Sequence, residues 1–324
     1  MIKFKVSIVG SYPKPISLGK AISRYRSNKI SQDKLEEYIS KQTQKFFELV
    51  KNVSADYTTD GMFRWDDVVD VTFSYLAGAE KGDLMRFYDN NFYYRRPVIR
   101  SRLEAKTKDY VEYLQASKKL MRESKVSSRL KAVILGPLSY LQFSEDKYYK
   151  DPVELMKDYV TETNKVIKEA EKVVDALEIH EPAIFDKGIK GDILQKVPEL
   201  YSTLFDGIRA EKHLITYFYV NSRRLDLLFS LHVDVVGLDV IENKNKLGVI
   251  YKYFKGKKVF LGVLNTRNTK LEKPSTIVNL TRKAYEKGAE EVLIGNSAPM
   301  DFIPEIIAKR KINLLAKARS MYHG

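Results

Sequence analysis

The sequence predicts an α/β fold, specifically a (β/α)8 barrel with an inserted lobe after the second strand. Short apolar runs rich in β-branched residues alternate eight times with longer segments of helical period. Several of these runs are almost continuously apolar, as expected of parallel strands buried on both faces. The length of 324 residues is also typical of a single barrel of this class.

The eight predicted strands are separated by helical stretches whose ends carry recognisable signals. Asp151, Pro152 and Glu154 supply a cap, a proline in the first turn and an early acidic residue for one helix. Gly288 closes another helix in the usual position of a C-terminal cap. The predicted strands cover residues 4–10, 55–61, 130–136, 176–182, 214–220, 233–239, 258–264 and 291–297.

The segment between the second and third predicted strands is too long for a plain connection. It begins with the aromatic stretch "FYDNNFYY" and continues into a helical pattern near residues 105–123. We therefore predict an inserted lobe over roughly residues 81–126, composed of an aromatic loop or hairpin followed by a helix. Because no Gly, Ser or Pro-rich linker interrupts the chain, residues 1–324 are expected to form one domain.

The composition excludes several chemistries. The chain has no Cys, which removes disulfides, thiol nucleophiles and Cys-ligated metals, so that any metal would need His, Asp or Glu. The amino-terminal stretch "MIKFKVSIVGSYP" lacks a signal-peptide core, and no apolar run approaches the roughly 20 residues of a membrane span. We expect a cytoplasmic protein with no membrane partner.

A formal net charge of +14 predicts a surface that attracts polyanions. Nucleic acid is not the favoured partner, because acidic and basic residues are interleaved, as in "KLEEYISKQTQKFFELVK", and no arginine-rich arm or aromatic RNA-binding box occurs. High Lys and Glu usage is also common in proteins of heat-loving organisms, which offers a simpler explanation of the charge.

Candidate catalytic residues follow from the rule that barrel enzymes place their chemistry at the carboxyl ends of strands. Glu181, Asp239 and Tyr217 stand at such ends and could serve acid–base chemistry. Adjacent strand residues point to opposite faces, so only one of His180 and Glu181 can face the barrel interior. We expect Glu181 to point inward and His180 to have a packing or surface role. A site that joins His180 to Asp239 and Glu242 is the only metal alternative, and we assign none.

Candidate substrate-binding residues are basic and amide side chains near the same strand ends. They could hold an anionic group through charge-assisted hydrogen bonds, although a solvated basic face would give the same pattern. No phosphate-binding glycine loop is present to suggest nucleotide-driven chemistry. The candidates are Lys14, Lys20, Arg64, Asn265, Arg267 and Asn268.

Seven segments, in order, resemble the cobalamin-independent methionine synthase family, and more closely its amino-terminal barrel than its catalytic carboxy-terminal barrel. The resemblance covers nearly the whole chain. Each motif alone has low specificity, but seven in the same order are hard to obtain by chance. The segments are "YPK" with the helix that follows it, "MFRWDDVVD", "FYDNNFYY", "LGPLSYL", "IHEPAI", "TYF" and "LGVLNTRN".

This resemblance implies methyl transfer from a 5-methyltetrahydrofolate polyglutamate to the thiol of homocysteine. In the family, zinc on the carboxy-terminal barrel is held by His, two Cys and Glu. Here Tyr217 and Tyr219 stand where the His and the first Cys would fall, and Ala298 stands near the second Cys. The resemblance therefore implies no cofactor on this chain and a zinc-carrying catalytic chain as its partner. Lys14 and Lys20 carry over as candidates for holding the anionic tail of the methylated folate or a related pterin.

Two functional readings remain open. The first is a stand-alone counterpart of the amino-terminal barrel that acts with a separate zinc-carrying chain, with catalysis by this chain alone in doubt. The second is an independent enzyme of the same barrel superfamily acting on another methylated or pterin-like substrate. Gly10 with Ser11, and Arg64 with Asp66, resemble the catalytic barrel instead, so the chain has traits of both halves.

Overall fold

A computed structural model describes residues 4–323 and contains a closed barrel of eight parallel strands. Neighbouring strands are hydrogen-bonded in the order β1-β11-β10-β9-β8-β7-β5-β2, which makes seven strand pairs. A β-bridge between Ser7 and Tyr57 closes the ring. The predicted fold is confirmed. The barrel strands are β1 (Lys5–Val6), β2 (Tyr57–Thr58), β5 (Arg129–Leu135), β7 (Ala176–His180), β8 (Glu211–Ile215), β9 (Val235–Asp239), β10 (Lys258–Leu264) and β11 (Glu291–Asn296).

Helices surround the barrel in the layer that the alternating sequence pattern predicts. The α6 helix begins as expected, because the Asp151 side chain accepts hydrogen bonds from the backbone N–H groups of Val153 and Glu154. The helices are α1 (Ile16–Arg26), α2 (Gln32–Asn52), α3 (Thr72–Tyr75), α4 (Thr107–Glu123), α5 (Pro137–Phe143), α6 (Pro152–Ala170), α7 (Gly191–Leu204), α8 (Leu225–Ser230), α9 (Leu247–Ile250), α10 (Pro274–Glu286) and α11 (Glu305–His323).

The fifth barrel strand differs from the prediction. We predicted residues 214–220, whereas β8 spans Glu211–Ile215. The chain leaves the barrel wall after Thr216, and Phe218 adopts a left-handed conformation with φ of 64°. The aromatic and β-branched composition of residues 214–220 reflects burial at the barrel end as well as strand structure, and the sequence pattern does not separate the two.

A long antiparallel hairpin lies between β2 and α4. It comprises β3 (Leu76–Arg86) and β4 (Tyr93–Ala105), and the short β6 (Glu145–Asp146) pairs with β4. The predicted lobe at 81–126 thus takes in most of this hairpin together with α4, a helix of the layer around the barrel. The hairpin tip, residues 87–92, lies over the carboxyl ends of the barrel strands.

Among residues 4–323, no helix is both long and apolar enough to cross a bilayer.

Candidate site at the mouth of the barrel

A cavity of about 650 Å³ opens at the carboxyl ends of the barrel strands, where barrel proteins place their binding sites. The hairpin tip forms one wall, and the segments that follow β7, β8, β9 and β10 form the others. The lining residues are Tyr88, Asp89, Pro182, Phe185, Asp186, Lys187, Tyr217, Phe218, Tyr219, Glu242, Asn243, Asn245, Lys246 and Arg267.

Aromatic side chains fix the hairpin tip against the barrel. The ring of Phe87 is buried and lies 5.1 Å from Phe143, 6.4 Å from Phe218 and 5.9 Å from Phe302, measured between ring centroids. Contacts of this kind add to the stabilisation that comes from burying apolar area. The tip is therefore a packed wall of the cavity.

Arg267 ties this tip to the barrel by polar contacts. Its Nε donates to Asn90 Oδ1 at 2.8 Å, its Nη2 pairs with Asp89 Oδ1 at 2.5 Å, and its Nη1 donates to Glu242 Oε2 at 2.9 Å. The guanidinium also lies 4.9 Å from the ring centroid of Phe218. Through this hydrogen bonding Arg267 lowers the pKa of the Asp89 carboxyl.

The charges that line the cavity are balanced. Three carboxylates face three cations, so the cavity lining carries no net formal charge, although the chain as a whole has a net charge of +14. Two of the cations, Lys246 and Lys187, lie around the ring of Tyr219. Their Nζ atoms are 3.5 Å and 5.7 Å from its centroid. Tyr219 is 53% exposed. This side of the cavity offers an aromatic surface flanked by two ammonium groups.

Two buried hydroxyl groups line the cavity without hydrogen-bond partners among residues 4–323. They belong to Tyr217 and Tyr88, and burial raises the pKa of both phenols well above the ordinary value. Beneath Tyr217 lies the ring of His180, at 5.7 Å between centroids, and its Nδ1 likewise lacks a partner in the described structure. Buried polar atoms are nearly always hydrogen-bonded, so these three atoms indicate a place for a polar ligand or ordered water.

A charged network fills the barrel interior below His180. Glu178 accepts hydrogen bonds from His180 Nε2 at 2.8 Å, from the Gly10 N–H at 2.7 Å and from the Lys131 ammonium, which also donates to Ser7 Oγ at 2.8 Å. Burial alone would raise the pKa of Glu178, but Lys131 and His180 outweigh it and lower that pKa to about 2. Lys131 and Glu178 are not among the candidates predicted from sequence, although a charged residue inside an apolar strand is itself a signal.

The expected orientation of the adjacent pair at the end of β7 is wrong. His180 faces the interior with Glu178, because residues two apart share one face of a strand. Glu181 points to the other side and accepts hydrogen bonds from the N–H and Oγ of Ser139 at 2.7 and 2.6 Å and from Tyr201 at 2.9 Å. Burial raises the pKa of Glu181 to about 7. In this position the carboxyl caps α5 and does not line the mouth cavity.

Asp239 lies behind the cavity wall. Its Oδ1 accepts the backbone N–H groups of Ile241 and Glu242 at 3.1 and 2.9 Å, and burial raises the pKa of the carboxyl to about 7. Asn243 bonds the Asp239 carbonyl at 2.8 Å and the Phe218 carbonyl at 2.6 Å, which fixes the loop after β9. Asp239 thus positions two residues that line the cavity, Glu242 and Asn243.

The basic candidates from the first and second strand ends lie apart from this cavity. Lys14 Nζ donates to the Trp65 carbonyl at 2.6 Å. Lys20 is exposed on α1 and has no ion-pair partner among the described residues. Arg64 pairs with Glu36 and stacks over Tyr113 at 4.6 Å, in the outer helix layer.

The two candidate amides line a separate hollow of about 310 Å³ beside the mouth. Asn265 donates to Glu242 Oε1 at 3.2 Å and accepts from the Arg267 N–H at 2.7 Å, whereas Asn268 accepts from the Lys270 N–H at 3.0 Å. Asn265 therefore contacts two residues of the mouth cavity. Of the candidate catalytic and substrate-binding residues, Tyr217 and Arg267 line that cavity directly, as does Glu242 from the metal alternative.

The residues at the strand ends do not fit the zinc site of the catalytic barrels. Tyr217 is buried and its phenol is held in the neutral form, whereas Tyr219 is exposed beneath Lys246. His180, Asp239 and Glu242 do not come together either: among the side chains of residues 4–322, no three His, Asp or Glu are grouped as a metal would need.

The closed barrel, the hairpin over its mouth and the aromatic cavity define the class of protein: a (β/α)8 barrel with a cavity at the carboxyl ends of its strands. Solved structures share this fold. A B12-independent methionine synthase from Shewanella sp. W3-18-1, in complex with selenomethionine, matches with a TM-score of 0.80 at 17% identity over 98% of this chain and 97% of that chain. A putative vitamin-B12 independent methionine synthase from Listeria monocytogenes has a TM-score of 0.80 at 16% identity, with coverage of 100% and 99%.

Sequence comparison supplies the family. Residues 76–287 match the model of the N-terminal domain of cobalamin-independent synthase, and the chain belongs to this family of methionine-synthase-like barrels. The methionine synthase of Sulfurisphaera tokodaii is 26% identical over 319 residues, covering 96% of this chain and 90% of that protein. The methionine synthase of Saccharolobus solfataricus is 25% identical over 309 residues, covering 94% and 91%.

Proposed function

We propose that this chain is a metal-free accessory barrel that binds a methylated folate or related pterin and acts with a separate zinc-carrying chain in methyl transfer to homocysteine. Two facts together carry the proposal. The chain belongs to the amino-terminal-domain family, and it has Tyr217 and Tyr219 at the strand end where the resemblance places two zinc ligands in a catalytic barrel.

The chemistry of the mouth cavity supports a pterin. A pterin is flat and aromatic with polar edges, and a cavity of about 650 Å³ is within the usual range for a ligand of this size. Tyr219, Phe218 and Phe185 supply aromatic surface, and the unpartnered hydroxyls of Tyr88 and Tyr217 could bond the polar edges. Lys187 and Lys246 are suited to a carboxylate of the tail. Lys14 and Lys20 remain predicted contacts for the distal tail.

In the proposed complex the reaction is divided between two chains. Zinc on the partner would supply homocysteine as a thiolate, the form that is nucleophilic. This chain would hold the pterin so that its methyl group faces the thiolate, and the aromatic hairpin tip would keep water from the cavity. Placing two reactants at a fixed distance and orientation is itself a large contribution to rate.

One observation favours the alternative of an independent enzyme on another methylated or pterin-like substrate. Burial raises the pKa of the Asp239 carboxyl to about 7, and such a group can donate or accept a proton near neutral pH. Because Asp239 lies behind the cavity wall, it would exchange that proton with the substrate through a group that lines the cavity. Tyr217, with its unpartnered hydroxyl, would then contact the substrate. Activity of this chain alone on such a substrate would favour the alternative.

The test is the rate of methionine formation from homocysteine and methylated folate by a single-barrel zinc chain, with and without this protein. We expect stimulation only in the mixture, and loss of that stimulation in the Tyr217→Phe and Lys246→Gln variants. Lys172→Gln, a change on the exposed surface of the helix layer, is the matched control. Zinc-dependent activity of this chain alone, or no effect of the chain in the mixture, would contradict the proposal.

The tail assignment is tested separately with donors that carry one or three glutamates. If Lys14 and Lys20 contact the distal tail, the Lys14→Gln/Lys20→Gln variant loses the preference for the longer tail and keeps its affinity for the monoglutamate. An equal loss for both donors would instead indicate a general effect of net charge.

A further inference from the structure

A second cavity, of about 540 Å³, lies at the opposite end of the barrel, where the strands begin. The starts of β1, β2 and β5 border it, together with the ends of α2 and α4 and the last helix, α11. Five basic side chains line this basal cavity against a single acidic one. They are Lys5, Lys51, Lys125, Arg129 and Arg319, and the acidic residue is Asp56.

Three of these cations are held in place by partners. Lys5 pairs with Glu291 at 2.6 Å, Arg319 pairs with Asp56, and Arg129 pairs with Glu211. Each guanidinium still has N–H groups that make no hydrogen bond within residues 4–323. Fixed guanidinium groups lose little conformational freedom when they bind an anion, so these contacts preorganise the cavity.

The other two cations are Lys51 and Lys125. Neither the Lys51 nor the Lys125 ammonium makes an ion pair or hydrogen bond with any residue from 4 to 323. The three partnered cations are matched by three carboxylates, so the cavity keeps an excess of two positive charges. Lysine at the carboxyl end of a helix is also favoured by the helix dipole, which gives a structural reason for Lys51 in the last turn of α2. The dipole does not explain why five cations from separate elements converge on one hollow.

We propose that this basal cavity binds a compact, multiply charged anion of the polyphosphate or polycarboxylate class. The hydroxyls of Ser54 and Ser127 add hydrogen-bond donors to the cationic groups. A nucleic acid duplex is the less suitable occupant, because the cationic groups surround a hollow of limited volume instead of following an open groove. The site lies at the far end of the barrel from the mouth cavity and does not depend on the function proposed for the mouth.

The test measures binding of sodium triphosphate by titration calorimetry at 150 mM salt, with citrate and ATP as further probes. The Lys51→Gln/Lys125→Gln variant should lose at least tenfold in triphosphate affinity. The control is Lys41→Gln/Lys119→Gln, which removes the same charge from exposed positions and should lose less than twofold. Lys41 lies on α2 with Lys51, and Lys119 lies on α4, which ends just before Lys125. Binding of citrate as well as triphosphate would assign the site to polyanions in general, and preference for ATP would assign it to a nucleotide.

Three results would overturn the proposal. They are no saturable binding of any of the three probes to the unaltered protein, equal losses in the two variants, and a lower thermal midpoint of Lys51→Gln/Lys125→Gln with unchanged binding. The second would mean that the diffuse field of a chain of net charge +14 attracts the anion. The third would leave the two lysines with a role in stability alone, which for Lys51 is its position in the last turn of α2.

Discussion

Removing the Lys131 ammonium should destabilise the protein severely. Lys131 and Glu178 are both fully buried, and the pKa of Glu178 is lowered to about 2 because that ammonium faces it. Lys131→Met keeps the length of the side chain and leaves a carboxylate in the barrel interior with only His180 and the Gly10 N–H beside it. Breaking a buried pair in this way costs about 3 to 5 kcal/mol. Since domains are stable by about 5 to 15 kcal/mol, about a fifth or more of the stability is at stake.

A double variant separates the effect of the unpaired Glu178 carboxylate from a simple loss of packing. Lys131→Met/Glu178→Gln removes both charges, and the Gln oxygen still accepts from Gly10 and His180. We expect it to recover about half or more of the loss, because the greater part of the penalty comes from the uncompensated carboxylate. Lys172→Met breaks an exposed pair with Glu169 and should change the free energy of unfolding by less than about 0.5 kcal/mol.

The assay is urea unfolding followed by the fluorescence of Trp65, the only tryptophan in the chain, which is buried. A shift of the midpoint at constant slope reports stability alone. A loss below about 1 kcal/mol in Lys131→Met, or a double variant no more stable than the single one, would refute the reasoning from the buried pair. The contribution of Glu178 is present above its unfolded pKa and should fade as the pH falls from about 4.5 to 2.

Three further outcomes are expected. Glu181→Gln should flatten the pH dependence of the free energy of unfolding. The folded pKa of Glu181 is raised to about 7, so the contribution of this carboxyl to stability is full at low pH and is lost as the pH rises from about 4.5 to 7, at up to about 1.4 kcal/mol per pH unit. An unchanged slope of stability against pH, measured by urea unfolding at several pH values, would contradict this. Arg267→Met should speed amide hydrogen exchange at the hairpin tip, residues 87–92, by tenfold or more, because three polar contacts are lost. Equal protection in both proteins would show that the aromatic contacts suffice to hold the tip in place. Gly136→Ala should lower the free energy of unfolding by more than about 2 kcal/mol, because the added methyl group would overlap the Glu181 carboxyl. Thermal or urea unfolding measures this, and a neutral effect would mean that the carboxyl can move.

The barrel could be predicted from the sequence because its signals are local. Strands such as β5, β10 and β11 are nearly continuous apolar runs, and the capping residues around α6 mark its start without reference to the rest of the chain. Alternation of strands with helices then restricts the topology to a few parallel arrangements. The hairpin was also recognisable, since the stretch before α4 is too long for a simple connection.

The site could be predicted only in part. The rule that barrel chemistry lies at strand ends pointed to Tyr217 and Arg267, and both line the mouth cavity. The same rule gave Lys14 and Arg64, which lie elsewhere because the segments after β1 and β2 turn toward the helix layer. Strand periodicity shows that neighbours point to opposite faces but not which neighbour points inward, and the choice between His180 and Glu181 was therefore made wrongly.

The sequence by itself determined the class of fold, the absence of cysteine chemistry and the family resemblance, because each of these depends on residue types and their order along the chain. Tertiary structure alone decided which charges meet. Lys131 reaches Glu178 across neighbouring strands, Arg267 reaches the hairpin tip some 177 residues away, and five basic residues from separate elements converge beneath the barrel. Ion pairing and ligand binding depend on distances of a few ångströms between side chains, and those distances are set by strand register and helix packing, which local sequence patterns do not specify.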